Sequence, residues 1–179
     1  MDFFTSYCKY VENLPLDDLN RIYHDTEYGF PIESDDELFE RLVLEMNQAG
    51  LSWITILKKK QNFRKAFDNF NVSIVAAYDA PDIERLLNDA GIIRNRAKIN
   101  AAIRNAGVIL QLQKEYGSFK NWLDINHPKT LEEWTKLFKK TFKFTGREIV
   151  NEFLLSISYL EGSHSPDCEV YHKIKAVQL

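Results

Sequence analysis

The sequence predicts an all-α fold, on three observations. Apolar residues recur at helical spacing, as at Leu38, Phe39, Leu42, Val43 and Met46. Strand-like alternation is nowhere sustained. Only seven glycines and five prolines punctuate the chain, most of them between helical patterns. With 179 residues, 45% hydrophobic and 27% charged, the chain is read as one domain over 1–179, or two small lobes sharing a core.

Helices are expected near 16–23, 35–49, 52–68, 72–78, 82–88, 95–115, 118–124, 131–140 and 147–161. Ser34-x-x-Glu37 reads as a capping box for the second of these. At roughly 100° per residue, Glu45 falls beside Leu38 and Ala49, so its carboxylate points toward the core side. Gly50 stops the helix, Ser52 can cap the next, and Trp53 sits in that helix's first turn. The product is a helix–turn–helix corner holding one half-buried acid and one indole, followed directly by Lys58, Lys59 and Lys60. An acid at the rim of an apolar stripe is more often a solvated group, and a tryptophan there more often core. Asp79 with Pro81, and Thr130-x-x-Glu133, open later helices. Residues 162–179, with Gly162 and Pro166, read as loop.

Leu86 to Ile99 reads as helix, tight turn, helix, with Gly91 allowing the reversal and Ile92 tucked inward. The second helix would open with its amides outward beside Arg94, Arg96 and Lys98, a phosphate-binding arrangement. Net charge is −3, which argues mildly against a polyanion partner. The distribution argues the other way. Residues 1–56 hold 12 acids and 3 bases, whereas 58–65 hold five bases and 94–104 hold four, both without an acid.

No apolar run approaches the ~20 residues of a membrane span. The N-terminus lacks a basic, apolar leader pattern, which points to the cytoplasm and to thiols that are reduced or metal-bound. The two cysteines, Cys8 and Cys168, each have a histidine nearby: His24 for the first, His164 or His172 for the second. Two thiolates and two imidazoles suit zinc, and such a site would clip both ends together. The bland alternatives are a buried Cys8 and an idle Cys168, or a disulfide. His127, before Pro128, reads as surface.

Tyr-His-Asp-x-Glu-Tyr-Gly at 23–29, Gln-Ala-Gly-Leu-Ser-Trp-Ile-Thr-Ile-Leu-Lys-Lys at 48–59, Asp-Ala-Gly-Ile-Ile-Arg-x-Arg-x-Lys-Ile at 89–99 and Phe-Lys-Phe-x-Gly at 142–146 stand out together. On these motifs the chain resembles the bacterial 3-methyladenine DNA glycosylase I family of the helix-hairpin-helix superfamily, over nearly its whole length. The resemblance implies a helix-hairpin-helix element at about 82–105, and zinc held by Cys8, His24, His164 and Cys168 in ends spanning about 1–28 and 160–172. It implies Glu45 as the base-recognising acid, Tyr23 and Trp53 as stacking rings, and Tyr10 and Tyr28 lining the pocket. Gln48, Gly50 and Leu51 would probe the duplex while Gly91, Arg94, Arg96 and Lys98 grip phosphates. The implied activity is monofunctional release of 3-methyladenine from double-stranded alkylated DNA by a monomer. Tyr10 and Tyr28 stand where the family often has Trp, Asn20 where an aromatic is frequent, and Ala97 where Gly is frequent. Arg147 and Glu148 follow Gly146 where smaller or uncharged residues are expected. Two rivals are a non-catalytic relative that binds alkylated DNA and a zinc-containing helical protein that binds a small aromatic cation.

Overall fold

The computed structural model describes residues 4–177, and all regular structure among them is helical. The order is α1 (Phe4–Glu12), α2 (Leu19–Thr26), α3 (Asp35–Gln48), α4 (Trp53–Ala66), α5 (Val72–Ala76), α6 (Ala80–Asn88), α7 (Arg96–Tyr116), α8 (Phe119–Asn126), α9 (Leu131–Thr141), α10 (Arg147–Ser156) and α11 (Glu169–Val177). No helix is long and apolar enough to cross a membrane. The backbone groups into two units: Glu33–Val150, and the chain before Glu33 together with the chain after Val150.

In the first unit α3 is buried on every face from Leu38 to Asn47. Its apolar stripe alone cannot explain that. The charged groups are accommodated singly, as where Glu40 takes Arg64 at 2.9 Å. At the helix start Ser34 accepts the Glu37 amide, and the next two acids reach other helices. Asp35 accepts from Gln113 Nε2 at 2.7 Å, Phe119 N at 2.8 Å and Lys120 N at 3.0 Å. Asp36 accepts from Val72 N and Asn71 Nδ2. Two adjacent carboxylates thus occupy the open amide ends of α8 and α5, where negative charge is favoured. Aromatic rings fill the space around α3: Phe67 stacks on Phe70 at 5.4 Å, and Trp122 meets Phe138 and Phe142 at 5.8 Å.

In the second unit, the C-terminal stretch is helical where loop was expected. Residues 162–179 contain α11, which buries Val170 and Ile174 one turn apart. α1 was also absent from the expected set, although Tyr7, Cys8 and Val11 carry helical spacing. α10 stops at Ser156 rather than 161, and Ser158 turns the chain with φ 70°. The capping boxes at Thr130 and Asp79 both close reciprocally. Ser52 sits at the N-cap of α4, but its hydroxyl bonds Thr55 Oγ1 instead of a helix amide.

Asp35→Ala should cost about 3 kcal/mol in urea unfolding, because three hydrogen bonds to a charged acceptor are lost and two helix-end amides are stranded. A loss under about 0.5 kcal/mol, the range of an ordinary surface change, would show that the carboxylate does not organise these helices.

Candidate functional site

The corner between α3 and α4 is built from short-range bonds. Gly50 has φ 84°, in the left-handed region where a side chain is costly. Leu51 N donates to Gln48 O at 2.7 Å, and Gln48 Nε2 returns to Leu51 O at 2.9 Å. Leu51 itself is exposed, an apolar side chain at the apex of a polar turn. Glu45, in the last turn of α3, is 4% exposed, so its carboxylate is on the protein side as the helical phase requires. Trp53 is half-buried in the first turn of α4.

Behind the corner is Lys98. Its spacing suggested a phosphate contact, and the structure corrects this. The side chain is buried, and Nζ donates to Asn47 O at 2.9 Å and Ala49 O at 2.8 Å. It occupies the carbonyl end of α3, where the helix dipole favours a cation. Burial pulls the ammonium below its usual range. The third neighbour is the ring of Phe144, whose centroid lies 5.8 Å from Nζ.

The hairpin between α6 and α7 is likewise held from inside. Asp89 Oδ1 accepts Gly91 N at 2.7 Å. Gly91 is needed for proximity: a Cβ there would meet Asp89 Oδ1 at 2.9 Å and Asn62 Cβ at 3.1 Å. Lys59 donates to Ala90 O and Gly91 O, and Asn62 also donates to Gly91 O. Ile92 is buried as expected. Asn95 caps α7 through Lys98 N, so one of its outward amides is already used. Arg96 pairs with Glu84 at 2.7 Å while remaining largely exposed, and Arg94 is exposed. The two basic runs are therefore less available than their counts suggest. Lys59, Arg64, Arg96 and Lys98 all have partners inside the protein.

The unit formed by the chain ends carries a second cluster. Ligand atoms of Cys8, His24, His164 and Cys168 all lie within 4.8 Å of one another. Cys8 Sγ is 3.3 Å from His24 Nε2 and 3.7 Å from His164 Nδ1; the two imidazole nitrogens are 3.1 Å apart. Cys168 Sγ is 3.8 Å from each of them. A tetrahedral ion with bonds of about 2.0 Å to N and 2.3 Å to S needs edges of roughly 3.3–3.8 Å, so these residues fit one. The outer nitrogens fit as well. His24 Nδ1 meets Asp25 Oδ1 at 2.7 Å, and His164 Nε2 meets Tyr28 O at 2.7 Å, which orients both rings. His172 is exposed and outside the cluster.

The electrostatics agree. Burial raises the Cys8 thiol, but hydrogen bonds from His164, His24 and Ser165 outweigh it and bring it from 9.0 to about 5. Burial opposes charge on His24, yet its bonds to Cys8 and Asp25 raise it. Burial and the neighbouring Cys8 charge hold Cys168 above its usual range. The cluster thus favours one thiolate beside one imidazolium, and a divalent cation would supply that positive charge to both sulfurs.

Rings surround this cluster. Tyr23, buried, lies 5.7 Å from Tyr28, and Tyr28 meets His164 edge-on at 5.5 Å. Tyr10 is exposed. Tyr7, which the spacing did not single out, stacks on Tyr10 at 6.3 Å and meets Tyr28 and His24 at 5.6 Å.

A family model described as methyladenine glycosylase matches residues 13–137. The chain is 38% identical over 183 residues to DNA-3-methyladenine glycosylase 1 of Escherichia coli (strain K12), covering 92% of this chain and 96% of that protein. It is similar to the solved structure of a Tyr-to-Phe variant of 3-methyladenine DNA glycosylase I in complex with 3-methyladenine, with TM-score 0.79, 32% identity, and 87% and 94% of the two chains covered. A 3-methyladenine DNA glycosylase I from Staphylococcus aureus gives TM-score 0.79 and 32% identity over 87% and 93%.

Purified protein assayed by elemental analysis should retain a divalent metal in the His172→Ala variant and lose it in His164→Ala. Retention by both would remove His164 from the ligand set. Acid should also release the ion, because protons compete for the thiolates. In its absence, the depressed Cys8 pKa adds stability above the ordinary thiol range that is lost as pH falls through about 5.

Proposed function

The chain belongs to the methyladenine glycosylase family, and on that premise we propose how its residues release the base. It is a base-excision repair glycosylase for alkylated DNA that frees 3-methyladenine. Methylation at N3 makes adenine cationic and weakens its bond to deoxyribose, so the leaving group is already activated. What the protein must add is extrusion of the nucleotide and selective binding of a charged, flat base.

Glu45 is assigned the central role. As a carboxylate it accepts a hydrogen bond from the exocyclic amine and complements the base's positive charge. The observation that carries this assignment is an acid only 4% exposed, in the helix turn that leads into an exposed, apolar-tipped corner. Burial makes its charge count for more than it would in water. Trp53 offers a ring face to the cation. Gln48, Gly50 and Leu51 fill the place the extruded nucleotide leaves. Arg94, Arg96 and the hairpin around Gly91 contact phosphates.

Water then adds at C1′ as the glycosidic bond breaks, and its proton passes to solvent. The bonding pair leaves with the base, which departs as neutral 3-methyladenine, and an abasic site remains. No lysine is assigned a Schiff-base step, so the reaction is monofunctional. Lys98, the buried lysine nearest the corner, is committed to two carbonyls. One chain suffices for this arrangement.

The tetrahedral cluster is assigned to zinc in a structural role. When bound, the ion cross-links Cys8 and His24 to His164 and Cys168, and it takes no part in bond cleavage.

Glu45→Gln should lower release of 3-methyladenine from methylated DNA about 10- to 100-fold, the worth of a hydrogen bond to a charged group. Chromatography of the freed bases measures it. Release at the wild-type rate would show that Glu45 does not recognise the base.

A further inference from the structure

Lys59, Arg64, Arg96 and Lys98, from the 58–65 and 94–104 runs, are engaged within the protein, which raises the question of what else could meet a duplex. A third acid-free run supplies it. Residues 134–147 carry Lys136, Lys139, Lys140, Lys143 and Arg147 and no carboxylate. Lys136 pairs with Glu132 and Arg147 with Glu148, whereas Lys139, Lys140 and Lys143 are exposed. Among the described residues, none of these three is paired with a carboxylate.

Near the end of this run, between Lys143 and Arg147, is Phe144. It is a large apolar ring 41% exposed, on a backbone with φ 59°. Bulky residues avoid that region, so something fixes the loop. Asn105, fully buried, clamps the preceding residue from both sides: its Oδ1 accepts Lys143 N at 2.8 Å and its Nδ2 donates to Lys143 O at 2.9 Å. On the other side Thr145 Oγ1 donates to Phe138 O at 3.2 Å. A groove lined by Lys139, Lys143, Phe144 and Gly146 opens beside the ring. The ring also neighbours Lys98 Nζ, the atom that holds the carbonyls of Asn47 and Ala49 at the corner.

We propose that residues 139–146 form a further DNA-contacting segment, in which Phe144 packs on the sugar or base next to the extruded nucleotide and Lys139 and Lys143 contact phosphates. The occupant is a nucleic-acid duplex because an exposed π face beside a groove shared with the unpaired Lys139 and Lys143 matches a stacked base between phosphates. Continuity with the corner through Lys98 puts the segment at the same end of the bound DNA. The inference rests on the reading of the corner as DNA-facing and extends it.

The test is binding of a duplex carrying a stable tetrahydrofuran abasic-site analogue, by fluorescence anisotropy across a salt series. Phe144→Asn suits this test because asparagine tolerates the left-handed backbone and removes only the ring. It should weaken binding about 5- to 100-fold with an unchanged salt slope, and Phe144→Trp should restore affinity. The Lys139→Gln/Lys143→Gln pair should reduce the slope of log K against log salt by about 2. These surface changes carry the test if Phe144→Asn fails to fold. Unchanged affinity and slope in these variants would overturn the inference. Leu51→Ala separates the two readings. If it weakens binding while the 139–146 variants do not, only this inference fails; if it too has no effect, the corner is not DNA-facing.

Discussion

A buried ammonium holds the end of one helix, and the corner that follows depends on it. Lys98 reaches across from α7 to the last carbonyls of α3. Leaving a lysine charge in a protein interior is costly, and the lowered pKa shows that the cost is present. Two charge-assisted hydrogen bonds of about 1.5–3 kcal/mol each, with up to about 1 kcal/mol from the helix dipole, offset it. The arrangement gives three segments one common neighbour: the turn carrying Gln48 to Leu51, the start of α7 beside the hairpin, and the loop that presents Phe144. The helix ending under Lys98 is also the one that carries Glu45, so its last turn cannot fray without breaking these bonds.

Glu45 illustrates a second balance. α3 is buried on all sides, which is unusual for a helix with three acids in its first turn and two more along its length. The first-turn acids Asp35 and Asp36 cap other helices, and Glu40 is neutralised by Arg64. Each of these has a structural purpose. Glu45 sits in the last turn, next to the corner and only 4% exposed, the position on which its proposed role rests. The chain ends follow a different logic. A metal that joins residues 8 and 24 to residues 164 and 168 would close a loop long in sequence, and loop-closure entropy rises only slowly with length.

Much of this could be read from the sequence where the interaction is local. The capping box at Thr130, the helix start at Asp79 and Pro81, the glycine at 50, the phase of Glu45 and the pairing of cysteines with histidines all depend on spacing of a few residues or on ligand chemistry. Choosing His164 over His172 depends on family resemblance, because both stand four residues from Cys168 in opposite directions. The partner of a cation is not written in the sequence. Lys98, Lys59 and Arg64 look alike in a basic run, and only the fold shows that each is spent on a carbonyl or a buried acid. The Phe-Lys-Phe-x-Gly motif at 142–146 stands out in the sequence, but nothing local in it shows that Lys139, Lys140 and Lys143 stay exposed around Phe144. α11 was masked by Gly162 and Pro166, although Val170 and Ile174 already carried its period.

The most direct test of this account is the salt dependence of duplex binding by Lys98→Met. If Lys98 organises the corner from within, affinity for the abasic-analogue duplex falls while the slope of log K against log salt stays at the wild-type value. A slope reduced by about 1, with binding otherwise retained, would mean that Lys98 touches a phosphate and that the corner is held by something else.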